Sequence, residues 1–497
     1  MSERKLRPAR AQLKAAVAKL CLVARIVASI RVGHGMPCPY ETFSERVDCN
    51  VPTSRRAPKV RQMEVYESDR NLDVAYDTNR VKRALICCIF LWMATLSARA
   101  TDDSLTKIAG DPACARGLQW IDKSSAWVTD QQIRLTEIPA PEFDETRRGE
   151  ALKQLFAASG FEVREDKTGN VIAERPGSDP RSVVLLAAHL DTVFPAGTDV
   201  SVKRNGGRLL APGIADNGVG LASLAGLARA LAESRMRTTK TIVLVGDVGE
   251  EGEGNLRGMR ALMDSYGSRL AAVIAVDGPS TDHITTQGIA SRRFEASVTG
   301  PGGHSWSDFG APNPITAIAR GIVKFSAVSI PADPRSSYNF GTIEGGTSVN
   351  SIPSGSSVKV DLRSEDEGEL GRLEAALRDA MQAGVKEEIS ATRSASDALQ
   401  MNFRSLGTRP AGKLADDAPL VATIRNVDRY LGNRSRLERS STDANIPLSM
   451  GIPAVALGGG GRGGGSHTLD EWYDPAGREL GLRRLFLTVV SLAGVER

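Results

Sequence analysis

The chain is 497 residues long, 41% hydrophobic and 25% charged, with a formal net charge of +4. That balance excludes collagen-like and wholly disordered classes and leaves apolar material for two or three domains. The charge is unevenly placed: residues 1–100 carry 18 Lys and Arg against 9 Asp and Glu, which leaves a formal −5 for the remainder. That acidic remainder holds no basic stripe interleaved with aromatics, so nucleic acid is not an expected partner.

In chain order, residues 1–80 are Arg-rich and without periodic pattern, and read as a non-native or disordered extension. Residues 81–100 follow a different plan: Lys82-Arg83, an apolar run over 84–96, then Ser97-Ala98-Arg99-Ala100. A basic start, a short apolar centre and an Ala-x-Ala site make a signal peptide. The apolar run falls short of the roughly 20 residues a membrane span needs, so an export signal is preferred over an anchor. The expected product is periplasmic or secreted, with no stable membrane span after processing. A signal this far into the chain points to translation starting near Val81, which N-terminal sequencing of the exported protein would test. Five of the six cysteines precede the cleavage point, leaving Cys114 alone and excluding an intramolecular disulfide in the mature protein.

From Arg147 onward apolar strands alternate with amphipathic helices. A helix is expected over 147–158, a strand over 183–188, a helix over 218–233, a strand over 241–246, a helix over 256–266 and a strand over 272–276. Such alternation predicts an α/β fold with a mostly parallel sheet covered by helices. Residues 290–400 break the rhythm. Strands near 293–298, 339–343 and 357–362 with helices near 314–325 and 368–382 predict an inserted two-layer α+β domain. The α/β pattern then resumes over 401–497, with a helix near 418–430, a strand at 454–457 and a last helix over 476–493. The main domain is therefore expected in two parts, 101–289 and 401–497, around the insert.

Only five histidines occur in the chain. His189 closes the apolar strand, and Asp216, the pair Glu250-Glu251, Asp277 and His467 fall at other strand ends or in loops beside them. In parallel sheets such positions converge outside the carboxyl ends of the strands. Imidazole and carboxylate ligands suit zinc, and a bridging carboxylate can hold two metals about 3.5 to 4 Å apart. Asp191 is expected to orient His189 through the ring nitrogen that does not bind metal. Of the adjacent Glu250 and Glu251, one can ligate and the other is free to act as a general base. Taken singly, Asp216 could cap a helix, the Glu250-Glu251-Gly252-Glu253 stretch could be a solvated acidic loop, and the glycine tract 458–465 could be a linker.

From about Leu118 onward the sequence resembles the zinc exopeptidase and deacylase family of peptidase T, glutamate carboxypeptidase and acetylornithine deacetylase. The resemblance rests on His189-Leu190-Asp191-Thr192, Gly213-Ile214-Ala215-Asp216-Asn217, Glu250-Glu251-Gly252, Val276-Asp277, Gly302-Gly303-His304-Ser305 and Gly465-Ser466-His467-Thr468. It implies two Zn2+ per subunit, with Co2+ or Mn2+ as substitutes. His189 and Asp277 would hold one metal, Glu251 and His467 the other, and Asp216 would bridge them. Glu250 would be the general base, and the Asp216-Asn217 peptide would be cis. The insert would act as a lid and homodimerisation domain. Its His304 would stabilise the oxyanion, and Asn350 and Arg363 would contact substrate. Ser441-Thr442-Asp443-Ala444-Asn445 resembles another family segment, without an assigned role.

The resemblance implies hydrolysis of the amide bond of a short peptide or acyl-amino acid. Aspartate at position 277 favours a peptidase T-like di- or tripeptidase. The alternatives are a glutamate carboxypeptidase-like enzyme, an N-acyl-amino-acid amidohydrolase, and a binding protein that keeps the fold without the chemistry. No Gly-x-Ser-x-Gly elbow occurs, which sets a serine hydrolase aside.

Overall fold

The computed structural model describes residues 105–393 and 399–496. The expected extension and signal segment lie outside the described residues. Among those described, no helix is long and apolar enough to cross a membrane.

The centre of the main domain is a nine-stranded sheet. Its four middle strands, in spatial order Lys240–Asp247, Asp179–His189, Leu270–Val276 and Ala454–Leu457, are mutually parallel. Residues Val183 to Ala188 are buried on both faces, the pattern of a strand covered by helices on each side. Each such Val or Leu contributes roughly 1.5–3 kcal/mol, so a charge at Leu185 would break the sheet at its middle. The antiparallel edges are Val171–Arg175 with Glu162–Glu165 on one side and His283–Gly288 with Gly412–Lys413 on the other. Helices Pro112–Lys123 and Ser125–Thr136, which the alternation pattern did not reveal, pack against Gly218–Ser234. The lone Cys114 is buried among them, and burial pushes its thiol up to about 12. It is a packing residue.

The parallel register sends the four middle strands out at one edge of the sheet. His189, the Glu250-Glu251 loop, Asp277 and the loop after Leu457 all leave there, as expected for a ligand site outside the carboxyl ends. A small antiparallel sheet of Lys203–Asn205, Arg208–Leu210, Trp472–Asp474 and Arg462–Gly464 flanks this edge and carries the turn that presents His467.

The insert is a four-stranded antiparallel sheet in the order Ser336–Gly345, Gly355–Ser364, Ala290–Thr299 and Gln400–Arg409. Helices Pro314–Ser326 and Glu367–Ala391 cover one face. Gly355–Ser364 alternates buried and half-buried residues throughout, the period-two signature of a sheet with one covered face. The two helices cross closely at Gly384, where a Cβ would fall 2.5 Å from the Gly321 nitrogen. The strand Gln400–Arg409 carries this sheet past the expected boundary at 400. Its few inward apolar residues, Met401 and Phe403, gave too weak an alternation to be read.

A candidate metal centre at the strand ends

His189 is the last residue of its strand and is 1% exposed. Its Nε2 lies 3.1 Å from Asp216 Oδ1 and 3.9 Å from Asp277 Oδ1. The other oxygen of Asp216, Oδ2, is 3.2 Å from His467 Nε2, which is also 2.8 Å from Glu251 Oε1. Two imidazoles thus face opposite oxygens of one carboxylate, with Asp277 on the first side and Glu251 on the second. That is the arrangement expected of two cation positions sharing Asp216, and all five expected ligands are brought together.

The groups around the ligands are themselves held. Asp216 precedes a cis peptide to Asn217. Asn217, not Asp216, caps the following helix, accepting from the Gly220 N–H at 3.1 Å and donating to the Val276 carbonyl at 2.9 Å. The fully buried Glu471 accepts three backbone N–H bonds, from Gly213, Ala215 and Asp216, at 2.7–2.8 Å. Burial still pushes Glu471 up to about 7. His467 adopts a positive φ of 66°, uncommon for a residue with a Cβ, in a turn closed by Thr468 donating to the Gly465 carbonyl.

Asp191 meets the His189 ring through its main chain rather than its side chain. The His189 ring places Nδ1 3.0 Å from the Asp191 carbonyl oxygen, while the nearest carboxylate oxygen is 3.8 Å away. The carboxylate instead accepts the N–H groups of Glu250 at 3.0 Å and Glu251 at 2.8 Å. These donors lie in a buried loop where an unpaired N–H is costly, so the carboxylate goes to them and the main chain orients the ring. Glu142 fastens the same loop further on, accepting from Glu253 at 2.7 Å and Gly254 at 3.2 Å.

Burial and crowding shift the charged groups of the cluster strongly. Burial, reinforced by Asp216, pushes Asp277 up to about 7. Burial also pushes Glu250 up to about 8, against the opposing pull of Arg409. Burial alone would discharge His189, but Asp216, Asp191 and Asp277 outweigh it and hold the imidazole well above its ordinary range. His467 is pushed up to about 10 by Asp216 and Glu251. Carboxylates crowded at this density share protons unless positive charge replaces them. Ligand atoms of His189, Asp216 and Glu251 lie within 4.8 Å of one another, so the donor set fits a divalent metal in chemistry and spacing.

Glu250 lies beside the ligands, and its Oε1 is 2.7 Å from Nη1 of Arg409, a residue with no sequence signal, 159 positions away. A cavity of about 400 Å³ opens over the cluster, and its outer wall includes Arg293, Arg363, Arg439 and His283. Arg363 reaches this cavity with its Nε bonded to Asp361 at 2.6 Å. His304 and Asn350 do not line it. Both are exposed on the insert, where His304 pairs with Ser351 in a two-residue ladder and the Ser305 N–H donates to the Asn350 carbonyl. The Nδ1 of His304 accepts from the N–H groups of Trp306 at 3.2 Å and Ser307 at 3.3 Å. The ring's proton therefore sits on Nε2, which is free to donate.

Comparison with known proteins agrees with this geometry. Residues 185–490 match the family described as Peptidase family M20/M25/M40. A putative succinyl-diaminopimelate desuccinylase from Mycobacterium tuberculosis is 28% identical over 335 residues, spanning 66% of this chain and 88% of its own. Aminopeptidase PepT from Bacillus cereus superposes with a TM-score of 0.56 at 22% identity, over 74% of this chain and 99% of its own. The Bacillus subtilis YXEP protein, described as a dinuclear metal-binding peptidase, superposes with a TM-score of 0.54 at 16% identity, over 75% and 99% of the two chains.

Proposed function

This chain belongs to peptidase family M20/M25/M40 and is a metal-dependent hydrolase, and from that premise we propose that it is an exopeptidase cleaving the amide bond of di- and tripeptides. The observation that carries the reading is Asp216 with an imidazole Nε2 on each oxygen and Glu250 beside it. Two zinc ions are the proposed cofactors, with His189, Asp277 and Asp216 around one and Glu251, His467 and Asp216 around the other. When bound, they would polarise the scissile carbonyl and make water a better nucleophile at neutral pH.

The chain's own residues supply the proton traffic. Glu250, its carboxyl raised toward neutrality by burial, accepts a proton from the attacking water and returns it to the leaving nitrogen. Arg363 offers a guanidinium to the substrate carboxylate. His304 donates its Nε2 proton to the developing oxyanion. Since His304 and Asn350 stand away from the cavity of their own chain, they are proposed to serve the site of a second copy in a homodimer. Support comes from the insert's outer strand Ser336–Gly345, an unpaired edge among the described residues with most of its residues exposed, and from Trp306, also on the insert, at 86% exposure. The signal-like segment over 81–100 supports an exported enzyme.

A second reading has its own support. Arg293, Arg363 and Arg439 at the cavity wall, with a relative named as a desuccinylase, favour an N-acyl-amino-acid amidohydrolase handling an acidic acyl group. One experiment separates the readings: hydrolysis of trialanine, N-acetyl-trialanine, trialanine amide and N-succinyl-alanine, each with and without chelator. The peptidase reading expects metal-dependent cleavage that requires a free amino end. Preference for the succinylated compound would replace it with the second reading, and chelator-insensitive cleavage would overturn both.

A further inference from the structure

The tract Ser441-Thr442-Asp443-Ala444-Asn445, unused by the reaction above, lies where the insert joins the main domain. The chain enters the insert through Ile289, between strands His283–Gly288 and Ala290–Thr299. It returns through Pro410, between Gln400–Arg409 and Gly412–Lys413. Asn445, fully buried, donates its Nδ2 protons to the carbonyls of Ile289 and Pro410, each at 2.9 Å. Its Oδ1 accepts from the Thr442 N–H at 3.0 Å. One amide therefore holds both crossings. A Cβ on Gly288 would fall 2.7 Å from that amide, so the incoming strand can lie this close only as glycine. The Ile289 N–H also donates to the Ser440 carbonyl at 3.0 Å, fastening the first crossing to the residue before the tract.

The tract's other end reaches the base. Ser441 Oγ accepts from Arg409 Nη1 at 3.2 Å, and the same guanidinium bonds Glu250 through Nη1 to Oε1 at 2.7 Å and through Nη2 to the Glu250 carbonyl. Arg409 and Glu250 are only 3% and 5% exposed, so this is a two-point contact shielded from water. Arg409 is also the last residue of the insert's strand Gln400–Arg409 and sits beside the second crossing.

We propose that residues 441–445 form the pivot of the insert and that Arg409 is a positioning residue tying Glu250 to that pivot. The setting of the insert and the aim of the base are then linked. A planar fork is needed because the guanidinium spans a side-chain and a main-chain oxygen of one residue while touching Ser441. An ammonium at that place keeps the charge but not the span. The assignment rests on Glu250 as the base.

The test uses the full chain loaded with zinc, and for kinetics whichever compound of the panel above is turned over. Arg409→Lys is expected to lower kcat about tenfold or more with KM within about threefold and metal content unchanged. Guanidinium ion is expected to restore part of the activity of Arg409→Ala. For the pivot, in a full chain whose Cys21, Cys38, Cys49, Cys87 and Cys88 are replaced by Ser, spin labels on Val323→Cys in the insert and Tyr430→Cys in the main domain report the distance distribution between them without any substrate. Asn445→Ala is expected to broaden that distribution and to lower kcat. Its effect combined with Arg409→Lys is expected to be smaller than the product of the two single effects, because both act through one linkage. Gly288→Ala, which crowds the same amide, stands in if Asn445→Ala does not fold. An unchanged distance distribution would overturn the pivot, and independent multiplicative effects on kcat would overturn the link to Glu250. Glu250→Gln run alongside separates the premises: full activity in that variant removes the base reading, while the distance measurement still judges the pivot.

Discussion

The wall that carries Asp216 and the edge that carries His304 are built on opposite plans. In the wall each functional group leans on a buried partner: Glu471 and Asn217 on either side of Asp216, the Asp191 carbonyl on His189, and the Asp191 carboxylate under Glu250 and Glu251. On the insert, His304 is exposed and is steadied by short-range bonds within 303–308 and a two-residue ladder to Ser351. The contrast separates what is set by folding from what is delivered by motion or by a second subunit. On the proposed roles, metal ligands must be placed to within a fraction of an ångström before a cation arrives, whereas the oxyanion donor proposed at His304 is needed only once substrate is in place.

The strongest way to break the comparison is at the wall. Glu250→Gln is expected to cut turnover by about 10³ or more with both metals retained, read by steady-state kinetics and metal analysis. Loss of metal along with activity would make Glu250 a ligand and redraw the site. Glu471→Ala leaves three buried N–H groups without an acceptor, so about 3 kcal/mol of stability and a share of the bound metal should go together, read by urea unfolding and metal titration. If metal affinity held while stability fell, Glu471 would be packing alone.

The edge should answer differently. His304→Ala is expected to lower kcat about 10²-fold with stability and metal content unchanged. Mixing it with Glu250→Gln subunits should recover part of the activity, since one of the two sites then has both residues. No recovery in a mixed dimer would place His304 on its own chain's site. Smaller still, Arg363→Lys should raise KM about tenfold and leave kcat near its original value, because a lysine holds a carboxylate through one contact rather than two.

The sequence made the wall's ligands legible and its supports invisible, for a physical reason. His189, Asp277 and the Glu250-Glu251 pair sit next to apolar runs whose ends the pattern marks, so strand ends and ligands are found together. Glu471 follows Thr468-Leu469-Asp470, a stretch that reads as solvated surface. Its burial exists only because Trp472–Asp474 pairs with Arg208–Leu210, more than 250 positions away. Arg409 is hidden in the same way, at the end of a strand whose outward residues blur the alternation. Asp191 is legible as the residue that steadies His189, but not the atom that does it. Spacing shows that a carboxylate is near His189, yet only the fold shows that two N–H groups of the next loop claim it first.

The finest test of the contrast is the pH behaviour of protein stripped of metal. Glu250, Asp277 and His467 have pKa values raised to about 8, 7 and 10, from ordinary values of 4.5, 3.8 and 6.5. A group raised in the folded state contributes stability that is fully present below its unfolded pKa and lost as pH rises through the folded one. For the two carboxylates this loss runs from about pH 4 to 8, and for His467 it continues to about 10. Asp216, lowered by His189 and His467, works in the opposite sense, losing its contribution only as pH falls below the ordinary carboxylate range. The melting temperature of the chelated protein should therefore fall between pH 5 and 9. Zinc should flatten that decline, since deprotonated ligands are the ones a cation holds. A decline of equal slope with and without zinc would mean that the cluster is not where the cations bind.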